Sequence, residues 1–181
     1  QEGLSVGAMW DMRKEDFMQN ISWLNSLQLK ASYGTTGNSG ISAYNALALV
    51  GSGLLYNGQA GIAPSTVGND NLTWESMKTL NIGISTRGFD RFSVDLEFYN
   101  RQTEDMLMAY PLSYTTGHGS SVENVASMRN RGFDITLGVD ILKTRDFSWS
   151  VSGNLNYNKN EITKLFNGLD EYTLPDTGLK M

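Results

Sequence analysis

Phe147-Ser-Trp-Ser-Val-Ser-Gly-Asn-Leu-Asn-Tyr-Asn158 alternates two chemistries without a slip. Phe147, Trp149, Val151, Leu155 and Tyr157 share one parity, with Gly153 the only gap, while Ser148, Ser150, Ser152, Asn154, Asn156 and Asn158 share the other. Successive side chains of a strand point to opposite faces, so this stretch reads as one β-strand, apolar on one face and polar but uncharged on the other. The question it poses is what each face touches.

The same alternation recurs outward from this strand. Phe133, Ile135, Leu137, Val139 and Ile141 alternate with Asp134, Thr136, Gly138 and Asp140, and the short turn 142–146 joins them to the quoted stretch as a hairpin. Leu80, Ile82 and Ile84 lead through Arg87-Gly-Phe-Asp-Arg91 to Phe92, Val94, Leu96 and Phe98, a second hairpin. Nearer the start, Leu27, Leu29, Ala31 and Tyr33 form one strand pattern, and Leu4, Val6, Ala8 and Trp10 another. Between them, the spacing of Phe17, Met18, Ile21 and Leu24 predicts a helical turn. Strands are therefore expected near 4–10, 27–35, 72–86, 92–103, 128–141 and 147–159. Long loops are expected at 36–71 and 106–127, the first with an extra hairpin near residues 44 to 56. A weak echo of Phe92-Ser-Val94 to Tyr99-Asn100 in Trp149-Ser-Val151 to Tyr157-Asn158 reads as a repeated hairpin rather than a solenoid.

Composition agrees with an all-β chain. Nineteen glycines against three prolines favour many turns, and 40% hydrophobic with 18% charged residues excludes a disordered tail. A net charge of -5 offers no field for phosphates, so nucleic acid is not an expected partner. The absence of cysteine removes disulfides, thiolate metal sites and cysteine nucleophiles. No apolar run reaches the length of a membrane helix, but membrane strands carry a far weaker signal. The chain begins at Gln1 without an initiator and ends abruptly at Met181, as expected of a fragment.

One reading of the two parities is a soluble β-sandwich that binds glycans or adheres to a surface, its apolar faces meeting in a core. The other is an antiparallel, up-and-down sheet forming part of a large transmembrane β-barrel. Three features favour the barrel. Short turns and long loops alternate, which gathers the long loops at one end. The polar parity is mostly Ser, Asn, Thr and Gly, suited to a wet lumen. Aromatics also bracket the apolar parity, and ten residues at about 3.3 Å each, tilted by roughly 40°, rise about 25 Å, the height of an outer-membrane lipid band. Trp10, Phe92, Phe147 and Trp149 would form a lower girdle, and Tyr33, Trp74 and Tyr157 an upper one.

Several motifs in order resemble the carboxy-terminal barrel region of the SusC/RagA-type, TonB-linked outer-membrane transporters of Bacteroidetes. They are Leu29-Lys-Ala-Ser-Tyr-Gly-Thr-Thr-Gly-Asn38, Gly68-Asn-Asp-Asn-Leu-Thr-Trp-Glu75, Phe98-Tyr-Asn-Arg-Gln-Thr-Glu-Asp105, Thr115-Thr-Gly117 and Asn124-Val-Ala-Ser-Met-Arg-Asn-Arg-Gly-Phe133. The resemblance runs from about Leu4 to Leu165 and departs from the family pattern at Asp70, His118 and Ala126. It implies a piece of a 22-stranded barrel in the cell outer membrane of a Gram-negative bacterium. That barrel would import a bulky nutrient, a glycan or peptide, with a SusD-type surface lipoprotein and the TonB complex as partners. The family's plug and TonB box are not recognisable in these 181 residues.

No catalytic, cofactor-binding or metal-binding residue is assigned, no cofactor is expected, and the ligand-binding residues are unknown. His118 with Ser120 and Ser121 lacks a fixed acid and a nucleophile elbow, and reads as a solvated loop histidine. Glu104 with Asp105, and Glu15 with Asp16, are sequence neighbours and read as loop or rim charges. Lys30, Asp95, Glu97, Asp134 and Asp140 share the polar parity, where they line a lumen, meet a plug or are simply exposed. Tyr44, Tyr56, Tyr110 and Tyr114 in the long loops are candidates for stacking on a sugar or a lid protein, or for anchoring the loops.

Overall fold

The computed structural model describes residues 3–38, 46–166 and 169. Eight strands form: β1 (Leu4–Asp11), β2 (Leu24–Asn38), β3 (Leu49–Tyr56), β4 (Gln59–Thr66), β5 (Glu75–Gly88), β6 (Phe92–Pro111), β7 (Ser120–Lys143) and β8 (Ser148–Lys164). Six pair in the order β1-β2-β5-β6-β7-β8, all antiparallel, while β3 and β4 make a separate hairpin. The helical character expected after β1 is present as two 3-10 turns, Met12–Lys14 and Asp16–Met18. Arg13 ties that connection down, its Nε donating to Leu24 O at 2.6 Å and its Nη1 to Met18 O at 3.1 Å.

Register makes the parities continuous across all six strands. One row reads Ala8, Ala31, Ile82, Phe98, Phe133 and Tyr157, and the next Trp10, Leu29, Ile84, Leu96, Ile135 and Leu155. Directly opposite residues share a face, so each strand's apolar set joins one sheet-wide surface. Phe133 and Tyr157 stack on it with ring centroids 5.4 Å apart. Nothing covers that surface among the described residues. Leu155 is 59% exposed and Ile82 46%; among the described residues the buried apolar ones are Leu24, Ala126, Leu165 and Phe166, and no large side chain is fully buried. The soluble-sandwich reading expects apolar faces meeting in a core; among the described residues β3 and β4 form a separate two-stranded sheet and no such core is present.

Strand ends also differ from expectation. The stretch 106–127, expected as a loop, is mostly strand, because β6 continues to Pro111 and β7 starts at Ser120. The cause lies at Asp105, which has φ 56, beside register shifts between Thr103, Met106 and Leu107. An inserted residue inverts the parity, so the alternation on its two sides does not add up to one visible strand. A second shift between Asp140 and Leu142 pairs Leu142, rather than Ile141, with Trp149. In the first long connection, β2 extends to Asn38 and a hairpin occupies 49–66 rather than 44 to 56, turning at Asn57 (φ 53) and Gly58 (φ 78). Asn-Gly suits the left-handed dihedrals of such a turn. The strand expected from Leu72 starts at Glu75 instead, since Thr73 and its neighbours are engaged elsewhere.

The ends of the sheet are distinct. β5 and β6 close through Phe89 and Asp90, both at φ 53, with Arg91 N–H donating to Gly88 O at 3.1 Å. Phe89 holds a conformation that bulky residues rarely adopt. Two contacts hold it there: its ring stacks on Trp23 at 5.4 Å, and its N–H donates to Trp23 O at 2.7 Å. Asn25 and Asp90 exchange two further bonds at 2.6 and 2.9 Å. The opposite end carries the β2-to-β5 connection, the longest in the chain, and the β6-to-β7 connection of residues 112–119; the short-turn end also carries residues 12–23 between β1 and β2, so the expected alternation of short turns and long loops is kept only in part.

Candidate functional site

The polar face and the long-loop end are the two surfaces that carry candidate residues. On the polar face the sheet forms a hollow of about 510 Å³ lined by Lys30, Ser32, Asn81, Asp95, Glu97 and Asp134, among others. Lys30, Gly83, Glu97, Asp134 and Asn156 lie in one cross-strand row, and Asp95 sits in the adjoining row beside Ser85. Four of the five charges expected on this face thus gather in one place. Asp140 lies further toward the short-turn end, in a second hollow with Arg87, Asp90, Arg91 and Lys143. Lys30 Nζ donates to Ser85 Oγ at 3.2 Å, and Asn156 Nδ2 donates to Asp134. Glu97 and Asp134 are directly opposite, a like-charge pairing that destabilises a sheet unless a donor or cation meets it.

A glycine fixes the next row. On Gly132 a Cβ would collide with Tyr157 O and with the Tyr99 ring, whose hydroxyl would lie 2.5 Å away. Tyr99 and Gly132 are directly opposite. The aromatic ring therefore lies over the bare backbone and pins the register of β6 against β7.

At the loop end, Asn124 acts as a clasp. Its Oδ1 accepts from Thr73 N at 2.8 Å, and its Nδ2 donates to Thr73 O at 2.9 Å and Asp105 O at 2.6 Å. Glu75 Oε1 accepts from Leu107 N at 3.0 Å, satisfying a backbone group next to the bulge. Asn69 Nδ2 reaches Val122 O at 3.0 Å, and Gly68 packs against the backbone of residues 46–48, where a Cβ would stand 2.6 Å from Ala48 N. Gly68 and Asn124 head, and Glu75 and Asp105 close, sequence motifs quoted above. Sequence reasoning assigned them no part in holding the loops, and the one available signal was the recurrence of Asn and Gly at the motif ends.

The other candidates disperse. His118 belongs to a pocket between the base of the β3-β4 hairpin and the 112–118 loop, with Leu47, Pro64, Thr66, Asp70 and Leu112. Ser121 Oγ instead donates to Glu123 Oε1 at 2.8 Å, so His118 and Ser121 are not joined. Glu104, expected as a rim charge, is a strand residue ion-paired with Lys78 at 2.6 Å, and Asp105 is the bulge. Glu15 accepts from Trp10 Nε1 at 2.9 Å, and Asp16 from Gln19 Nε2 at 2.9 Å. Tyr110 packs edge-on against Phe166 at 5.3 Å, anchoring rather than presenting its ring. Tyr114 is 93% exposed on the 114–116 turn. Tyr56 lies in β3, and Tyr44 falls outside the described residues. No group of three or more His, Cys, Asp or Glu positioned for a metal occurs among the described residues.

Comparison with known proteins adds to this geometry. The family described as TonB dependent receptor-like, beta-barrel, matches residues 5–178. The chain is 34% identical over 157 residues to TonB-dependent receptor P39 of Formosa agariphila, covering 86% of this chain and 15% of that protein. It is 29% identical over 187 residues to TonB-dependent receptor SusC of Bacteroides thetaiotaomicron, covering 98% of this chain and 18% of that protein. Among solved structures, it is similar to a chain of the RagAB peptide transporter, with 44% identity, a TM-score of 0.84, and coverage of 98% of this chain and 20% of that one. The chain therefore spans less than a fifth of the length of these curated relatives.

Proposed function

This chain belongs to the TonB-dependent receptor-like β-barrel family, and from that premise we propose that it is a wall segment of an outer-membrane nutrient importer. The observation that carries the proposal is the uncovered apolar face, continuous over six strands and backed by a polar hollow. In water such a surface is an aggregation liability; against lipid it is the required exterior. Six strands of a 22-stranded barrel amount to about a quarter of the wall.

The aromatic belts support this orientation. Strands about 4.8 Å apart and tilted by about 40° displace a hydrogen-bonded row by about 3 Å along the barrel axis per strand crossed. Trp10 shares its row with Leu155, five strands away, so the row rises about 15 Å between them. Trp149 stands six residues below Leu155, which is again about 15 Å, so the two tryptophans come level. Phe92, in the row of Val151, matches the same height by the same arithmetic. The upper belt is less even, with Tyr33 about 7 Å below Tyr157.

In this reading the polar hollow faces the lumen or a plug, where Lys30, Asp95, Glu97 and Asp134 meet a partner surface. The long-loop end faces outward, toward a SusD-type lipoprotein and a peptide or glycan substrate, with energy from the TonB complex. The RagAB relative is a peptide transporter, which makes oligopeptides the first substrate to test. The chain has no catalytic role in this account.

Fractionation of cells producing the full-length protein tests the reading. The protein should sediment with outer membranes, need detergent for extraction, and be required for uptake of labelled oligopeptides or oligosaccharides. A monomer stable in detergent-free buffer and absent from the membrane fraction would overturn it.

A further inference from the structure

Beyond the Phe133 and Tyr157 pair, the outward parity changes from apolar to cationic. Arg131 stands directly opposite Lys159, two residues past the aromatic pair, and Arg129 stands directly opposite Glu161. Arg131 Nη2 contacts Glu161 at 3.2 Å, and Lys159 is ion-paired with the same carboxylate. One carboxylate thus serves two cations and faces a third. Glu104, the nearby carboxylate on β6, is taken by Lys78 at 2.6 Å.

Two further observations mark the cluster as incomplete. Like charges directly opposite on a sheet destabilise it, which is the situation of Arg131 and Lys159. Arg129 Nε is buried without a hydrogen-bond partner among the described residues. The Arg131 and Lys159 side chains nevertheless remain 46% and 48% exposed on the outward face. An anion arriving from that side would relieve the repulsion and offer acceptors to the guanidinium forks.

Height identifies the anion's source. Two to four residues past the aromatic pair is about 5 to 10 Å along the axis, within the headgroup layer that flanks a bilayer's hydrocarbon core. We propose that Arg129, Arg131 and Lys159 form a site for the phosphate of an anionic lipid headgroup in the leaflet on the long-loop side. The site rests on the membrane-wall reading above. Its occupant is lipid rather than free phosphate, because acyl chains below the headgroup would lie along the apolar face formed by Phe133, Tyr157 and Leu155.

Native mass spectrometry of the full-length protein in non-ionic detergent, titrated with phosphatidylglycerol, phosphatidylcholine or inorganic phosphate, tests this. The wild type should retain phosphatidylglycerol in preference to the other two. The combined R129Q/R131Q/K159Q variant should weaken that retention about tenfold or more, while Lys30→Gln on the opposite face should leave it unchanged. Heat-modifiable gel migration establishes that the triple variant has folded; if it has not, Arg131→Gln alone should give a partial loss of about fivefold. Unchanged lipid retention in a folded variant would overturn the proposal, as would equal retention of inorganic phosphate by the wild type. If the protein remains in the outer-membrane fraction while either occurs, the lipid site fails and the wall reading stands; a protein outside that fraction fails both.

Discussion

Leu96 is the position at which the lipid-facing account makes its largest energetic claim. It shares a row with Ile135 and Leu155. Correcting for two strands of tilt places it about 6 Å below Leu155, midway between the levels of Trp149 and Tyr157. Leu96→Arg should therefore put a guanidinium near the bilayer midplane, at a cost of about 2–4 kcal/mol in a transmembrane barrel. Phe92, four residues away on the same face, sits about 10 Å lower, at the level of Trp149. There an arginine should cost only about 0–1 kcal/mol in charge burial, because its head reaches the interface. Thr136, which faces the polar hollow, should accept arginine at a cost below that of Leu96. Urea unfolding of the full-length protein from lipid vesicles, followed by tryptophan fluorescence, would measure all three. The order Leu96 above Phe92 and Thr136 is expected. Equal costs at Leu96 and Phe92, or a greater cost at Thr136, would refute the depth assignment.

Gly132→Ala should destabilise by about 1–3 kcal/mol, since the added methyl meets Tyr99 and the Tyr157 carbonyl. In a Tyr99→Ala background the same change should cost less, and strict additivity in unfolding measurements would show that the two do not touch. Asn124→Ala removes three hydrogen bonds to Thr73 and Asp105, a loss of about 2–4 kcal/mol confined to the loop end. Hydrogen exchange should speed up at the Thr73 amide and remain slow in the middle of β7 and β8; unchanged exchange at Thr73 would remove the clasp from the account.

How far the sequence carries differs by region, for identifiable reasons. The quoted stretch in β8 was legible because one irregularity-free parity ran its full length. The extended β6 and β7 were not, because an extra residue in each strand, Asp105 in β6 and Val125 in β7, inverts its parity and leaves half-patterns that resemble a loop. The β5-β6 and β7-β8 pairings followed from short turns, but the clasp by Asn124 joins Thr73 to Asp105 across 51 and 19 residues of sequence, a separation no local pattern encodes. The charges at Lys30, Asp95, Glu97 and Asp134 were placeable on a face by parity. That they converge on one hollow depends on the registers of four strands. Parity alone also could not distinguish lipid from a second sheet, because either environment selects the same apolar residues; the match to a β-barrel family over residues 5–178 made that distinction.

The central claim is that residues 147–158 separate two solvents. The stretch contains no cysteine, so single cysteines placed along it in the full-length protein can carry a nitroxide in lipid nanodiscs. Accessibility to dissolved oxygen should peak at 149, 151, 155 and 157, and accessibility to a water-soluble nickel chelate at 150, 152, 154 and 156. Collisions with both reagents that fail to alternate, or that alternate with the opposite assignment, would contradict the account.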